Sequence, residues 1–192
     1  MKRIVLVMML CAMFMLTPAL FAQDSDYNHG EIGVFFDFNR QNDLNLNLFG
    51  VGGRVGFNVH PHVALEAEGS YNFENATSFT VKGFVNPVRA NFRATHFLAG
   101  PKFQLGTKGP WRVYGVLKGG FVRFGVTPGA VTFGSFPTVL TNTDLNGVLY
   151  PGAGFEAFAG IIGIRGEVGD EMYFDNGANH NLKVTFGPVI RF

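Results

Sequence analysis

The sequence predicts an all-β fold, an eight-stranded antiparallel up-and-down β-barrel. Eight segments between residues 31 and 192 alternate between apolar and polar side chains, which is the pattern of a strand with one buried face. Glycine is spread along the chain, with 26 glycines in 192 residues, and this opposes helix formation. No helical periodicity persists over three turns. Two regions are therefore expected: a leader, residues 1–22, and one barrel domain, residues 23–192.

The first 22 residues are predicted to be a secretory signal peptide. Two basic residues precede an apolar run over residues 4–16, and small Ala22 ends the segment. This order is typical of a signal peptide, and the apolar run is shorter than the roughly 20 residues that a membrane-spanning helix needs. We expect cleavage between Ala22 and Gln23, which exports the remaining chain.

The composition excludes several functional classes. The chain has 15 Lys and Arg against 14 Asp and Glu, so nucleic-acid binding through a basic surface is not expected. The single cysteine, Cys11, lies in the predicted leader, so the barrel domain has no disulfide, thiol nucleophile or cysteine-ligated metal. Charged residues make up only 15% of the chain, below the roughly 25% of soluble domains.

The eight strands follow one another along the chain. Their apolar faces are predicted at residues 32–38, 49–59, 63–73, 97–105, 113–121, 149–157, 164–168 and 182–192. Short turns fall near residues 60–62, 107–110 and 159–160, and longer loops fall near residues 40–47, 74–91, 124–147 and 170–180. Short turns on one rim and long loops on the other are typical of an up-and-down membrane barrel.

The opposite, polar faces carry a balanced set of charges. Seven are acidic and seven are basic: Glu31, Asp37, Glu66, Glu68, Glu156, Glu167 and Glu171, with Arg54, Lys102, Arg112, Lys118, Arg165, Lys183 and Arg191. A solvated exterior does not require such balance. The lumen of an eight-stranded barrel does, because side chains just fill it and buried charges must pair. We therefore expect a transmembrane β-barrel with its charges inside, and with glycines relieving crowding among them.

Aromatic residues lie where the two membrane interfaces are expected. Trp111 is at a short-turn rim, Tyr71 and Phe73 are at a long-loop rim, and Phe192 ends the chain. Such girdles of aromatic residues flank the apolar band of outer-membrane barrels.

The last strand carries the clearest family resemblance. Residues 184–192 alternate, with Phe186, Pro188, Ile190 and Phe192 on the apolar face. Together with the leader and the eight segments, this ending resembles the OmpA/OmpX-like, porin-like family of bacterial outer-membrane β-barrels. The resemblance implies an outer-membrane location, contact with the lipid bilayer and outer-membrane lipid, and use of the last strand as the assembly signal that the barrel-insertion machinery reads. Pro188 is tolerable only where the sheet needs no backbone donor.

No catalytic, cofactor or metal site is predicted. Residues 152–157 match the dinucleotide fingerprint in letters, but no helix follows them. Barrel enzymes that modify lipid A use a histidine and a serine on the outer surface, whereas Ser70 and His96 both fall on the predicted lumen face. These observations predict that the protein is not an enzyme and needs no cofactor.

The expected function is a structural or surface role in the envelope, through integrity or loop-mediated adhesion, with a lumen plugged by charges. A small ion or solute pore is the main alternative. A lipid A-modifying enzyme and a soluble lipocalin-like barrel are further alternatives, although a lipocalin interior would be apolar. No motif identifies the partner of the surface loops.

Overall fold

The computed structural model describes residues 28–42, 46–79, 88–105, 109–128, 145–174 and 177–192. For residues 76–79, 88–92 and 126–128, only the backbone is described. The predicted signal peptide and its cleavage pair, Ala22 and Gln23, lie outside the described residues. Within the described ranges, no helix is long and apolar enough to span a membrane.

Eight antiparallel strands close into one barrel, as the sequence predicts. Each strand pairs with its neighbours in the chain, and β8 pairs with β1 to close the sheet. The strands are β1 (Gly30–Gln41), β2 (Leu46–His60), β3 (Val63–Phe79), β4 (Val88–Leu105), β5 (Trp111–Pro128), β6 (Leu145–Ala159), β7 (Ile162–Phe174) and β8 (Ala178–Arg191).

The chain end is bonded to the first strand. Phe192 and Gly30 exchange two backbone hydrogen bonds of 2.9 Å, one in each direction. The paired residues of β1 and β8 skip Val34 and Phe35, the positions opposite Pro188 and Gly187. Pro188 therefore lies where the β1–β8 ladder is interrupted.

Strand alternation places the apolar residues outside and the charges inside. Phe36 and Val113 are 70% and 59% exposed, whereas Lys118 and Glu156 are fully buried. The outer surface carries apolar side chains on every strand. Because exposed apolar area of this extent is costly in water, the arrangement fits a lipid environment.

The strands are longer at the long-loop end than the sequence predicts. β3 continues to Phe79, β4 begins at Val88 and β5 continues to Pro128. Only residues 175–177 separate β7 from β8. The predicted loops near 74–91, 124–147 and 170–180 are therefore shorter. Backbone pairing continues beyond the alternating stretch, and a register shift between Asn72 and Asn75 breaks the alternation there.

Inward-facing glycines allow neighbouring backbones to approach closely. A Cβ at Gly120 would overlap the carbonyl oxygen of Phe97, and one at Gly100 would overlap that of Leu117. At outward-facing Gly119, the nearest atom to an added Cβ is the Val148 carbonyl oxygen at 3.8 Å. At Gly120 and Gly100, the crowding is thus with the backbone of a curved sheet and not with charged side chains.

We predict that Gly120→Ala destabilises the barrel while Gly119→Ala does not. The methyl group at position 120 overlaps backbone atoms that cannot move independently, so we expect a loss of about 1–3 kcal/mol. The change at position 119 should stay within about 0.5 kcal/mol. Urea unfolding of both variants in lipid vesicles measures the difference, and equal stabilities would contradict the close approach at Gly120.

Candidate functional site

The candidate site is the lumen, where buried charges from different strands meet. Near the short-turn rim, Lys102 Nζ donates to Glu31 Oε2 at 2.5 Å and to Glu156 Oε1 at 2.8 Å. Arg112 pairs with Glu31 and lies 3.7 Å from Glu156. These four residues come from β1, β4, β5 and β6, so their ion pairs cross the lumen.

The middle of the lumen is centred on Lys118. Its ammonium group lies 2.6 Å from Glu66, 2.6 Å from Glu68 and 2.9 Å from Glu167. Arg165 holds Glu66 with two hydrogen bonds of 2.5 and 2.9 Å. The three carboxylates lie close enough together to ligate a metal ion. However, the ammonium group already contacts all three, so it supplies the positive charge that a metal would bring.

A third layer lies toward the long-loop rim. Lys183 Nζ is 3.5 Å from Glu171 and 3.7 Å from Asp37. His96 Nδ1 lies 3.0 Å from Glu171, and its Nε2 lies 2.7 Å from Asn72 Oδ1. Both ring nitrogens therefore face oxygen atoms of other side chains.

The structure places Ser70 and His96 on the lumen face, as the sequence predicts. Both are buried, and their Cα atoms are partners in the β3–β4 ladder. Ser70 Oγ lies 3.4 Å from Lys183 Nζ. The two side chains are therefore part of the third lumen layer and do not lie on the outer surface.

Inward aromatic rings that sequence analysis did not select lie between glycines and cations. Phe35 and Tyr114 are the cross-strand partners of Gly52 and Gly154, where a Cβ would overlap each ring. A matching pair, Phe158 and Gly163, joins β6 to β7. An aromatic residue on the polar face, opposite a glycine on the next strand, is the sequence signal for this arrangement.

These rings also contact the cations of the ion-pair layers. The guanidinium carbon of Arg54 lies 4.2 Å from the Phe35 ring centre, and that of Arg165 lies 4.3 Å from Tyr114. Arg165 Nε donates to the Tyr114 hydroxyl at 2.7 Å, which in turn donates to Glu167 at 3.0 Å. Ring contacts of this kind stabilise buried cations beyond their ion pairs.

Part of the lumen lining is apolar, at the same heights as the charged side chains. Buried side chains from β2, β4, β5 and β6 form one cluster, which includes Leu46, Leu48, Ala94, Leu98, Val122 and Val148. The sequence prediction begins the second strand at residue 49 and therefore misses the first two. This apolar cluster thus shares the lumen with the charged layers.

Thirteen of the fourteen predicted lumen charges are buried, and Arg191 is placed differently. It lies half-buried at the short-turn rim, where Nε donates to the carbonyl oxygen of Gly160 at 2.9 Å. Its guanidinium carbon lies 4.2 Å from the Phe158 ring centre. Although alternation assigns Arg191 the correct face, its position at the strand end keeps it out of the buried ion pairs.

The residues of the predicted assembly signal lie on the outer face of the last strand. Phe186, Pro188, Ile190 and Phe192 are all exposed. Recognition of this strand by the insertion machinery stays a prediction.

No protein-family model and no curated protein matches the sequence. Several solved structures have a similar fold over most of this chain and nearly all of their own chains. Ail, the attachment invasion locus protein of Yersinia pestis, in complex with the heparin analogue sucrose octasulfate, is 15% identical over 86% of this chain and 97% of that chain, with a TM-score of 0.55. Neisserial surface protein A is 10% identical over 85% and 96%, with a TM-score of 0.56. OprG of Pseudomonas aeruginosa is 11% identical over 88% and 98%, with a TM-score of 0.51. The chain therefore has the fold of the OmpA/OmpX-type outer-membrane β-barrels.

We predict that Glu66→Gln strongly destabilises the barrel. Loss of the Glu66 carboxylate leaves the buried cations Arg165 and Lys118 with less compensating negative charge. We therefore expect the free energy of unfolding to fall by about 3–5 kcal/mol. The matched control is Glu74→Gln, because Glu74 forms an exposed ion pair with Arg93 at 3.7 Å. That change should cost less than about 1 kcal/mol. Urea unfolding in lipid vesicles compares the two, and an equal effect would refute a stabilising lumen network.

Proposed function

We propose that the protein is an integral β-barrel of the bacterial outer membrane with a closed lumen and a structural or surface role. The observation that carries the closed lumen is the position of Lys118, which bonds three glutamates from two other strands at the centre of the barrel. Its contacts join β5 to β3 and β7 across the space that a solute would have to cross.

The outer surface supports the membrane location. On β3, the outward side chains are uncharged over residues 63–73, which matches the 9–11 residues that a tilted strand needs to cross a bilayer. Trp111 stacks on Phe155 at one end of this band, with ring centres 5.7 Å apart. Tyr71 and Phe73 are in contact at the other end, with ring centres 6.1 Å apart. Outer-membrane lipid would surround this band, after export by the predicted leader and insertion by the barrel-insertion machinery.

A surface role is supported by the contents of the lumen and by the structural neighbours. The ion pairs and the apolar cluster occupy much of the lumen within the described residues. Ser70 and His96, the pair that could have acted in an enzyme, are engaged in the third lumen layer. The names of two neighbours, an attachment invasion locus protein and a surface protein, agree with a role at the cell surface.

A narrow ion pathway is the second candidate. Several buried polar atoms have no hydrogen-bond partner within the described part of the chain. Many lie in the third lumen layer or next to it toward the long-loop rim, in Asp37, Asn39, Gln41, Asn72 and Asn181. Such atoms favour a hydrated region in this half of the barrel. The charged layers below it would still have to rearrange for an ion to pass.

The membrane barrel itself can be tested by gel migration. Residues 23–192, refolded in detergent micelles, should migrate faster on an SDS gel when unboiled, because a closed barrel resists the detergent until it is heated. A chain that stays soluble without detergent and shows no heat shift would contradict the membrane location.

The closed lumen predicts no steady conductance in a planar bilayer. The double variant Glu66→Ala, Arg165→Ala removes one acid and one base from the central layer and should raise conductance while keeping the lumen charge unchanged. The control is Glu74→Ala, Arg93→Ala, which removes an ion pair outside the lumen. A steadily conducting wild-type barrel would favour the pore instead.

A further inference from the structure

An outward-facing groove lies at the long-loop end of the apolar band. It has a volume of about 160 Å³ and is lined by Tyr71, Arg93, Thr95, Arg123 and Gly125. The ladder aligns Tyr71 with Thr95 and Thr95 with Arg123, and it places Arg93 beside Gly125. Two arginines are thus presented together on the outer face of β4 and β5.

A glycine in β5 lies beneath one of the arginines. A Cβ at Gly125 would lie 2.7 Å from Arg93 Nε, so the arginine side chain lies across this strand at the glycine. The guanidinium group of Arg93 therefore shares one side of the barrel with that of Arg123.

The groove is positively charged. Arg93 has one acidic neighbour, Glu74, at 3.7 Å, and both side chains are about half exposed. Within the described part of the chain, no carboxylate forms an ion pair with Arg123. Two cations against one acid leave a net positive charge, which contrasts with the neutralised charges of the lumen.

The surface below the groove is apolar. Phe97 and Phe121 stack with ring centres 5.5 Å apart in the next ladder row. The outward residues of β5 over residues 111–121 carry no charge, so Arg123 is the first charge above a stretch long enough to cross the apolar part of a bilayer. The site therefore combines a cationic groove at the interface with an aromatic surface at the depth of acyl chains.

We propose that this groove binds the phosphate group of an outer-leaflet lipid, with an acyl chain lying over Phe97 and Phe121. Arginine forms strong, directional hydrogen bonds to phosphate oxygens, and Tyr71 and Thr95 offer further hydroxyl donors. The proposal rests on the membrane location proposed above. An anionic sugar at the cell surface would use the arginines but not the stacked rings, so the lipid fits the whole surface better.

The test measures retention of lipid A, a lipid with two phosphate groups, by the refolded barrel in neutral detergent using native mass spectrometry. We expect about fivefold weaker binding for Arg93→Gln or Arg123→Gln and about 25-fold weaker binding for the double variant. The matched control is Arg40→Gln, which changes an arginine on the outer face of β1, at the same rim but away from the groove. This control should bind as the wild type does. The heat-dependent gel shift confirms that each variant is folded.

Several results would overturn the lipid site. Undiminished binding by the double variant, or an equal loss in Arg40→Gln, would show that the groove is not specific. Inorganic phosphate that competes as well as lipid A would remove the role of the acyl chain. If the double variant lost its binding of sucrose octasulfate but bound lipid A as the wild type does, the groove would be assigned to an anionic sugar. A wild-type chain without the heat shift would instead refute the membrane barrel itself.

Discussion

The requirement that buried charges be paired determines most of this structure. An eight-stranded barrel encloses a space that side chains just fill, so no charge inside it can keep a full hydration shell. Lys118 meets this requirement by contacting three glutamates, and Lys102 by contacting two. Because the partners of Lys118 and Lys102 come from other strands, these ion pairs also join parts of the sheet that are far apart in the chain. Charge pairing and barrel closure therefore depend on each other.

Glycines and aromatic rings make room for this network. Where a ring such as Tyr114 lies over a glycine on the next strand, it covers the backbone and leaves the centre of the lumen to longer side chains. The same ring contacts Arg165 through its face, and the Tyr114 hydroxyl oxygen accepts a hydrogen bond from Arg165 Nε. Changing the glycine would displace the ring and, with it, the guanidinium group. From the wall of the barrel inward, the glycine backbone contacts the aromatic ring, the ring contacts the cation, and the cation contacts the carboxylates.

The sequence predicts which side of the barrel a residue faces better than it predicts the residue's partners. Alternation has a period of two, so the inward direction of Glu31 and Lys102 can be read from their own strands. Their contact depends on the tilt and register of β1 and β4 on different sides of the lumen, which no local pattern records. Arg191 illustrates the same limit, since its face is predicted but its height at the rim is not. Leu46 and Leu48 were missed because backbone pairing extends past the first clear alternation.

The charges inside the barrel are paired, whereas those on its outer face are not all paired within the described residues. This difference indicates different roles. Inside, the glutamates of each of the three lumen layers have a Lys, Arg or His side chain within ion-pair distance, so the charges stabilise a closed barrel. Outside, Arg123 has no acidic partner within the described residues, although it lies at the edge of a wide apolar surface. A stabilising role does not explain two arginines placed together there, because exposed ion pairs contribute little and one of the arginines has none among the described residues. Attraction of a phosphate at the membrane interface does explain this placement.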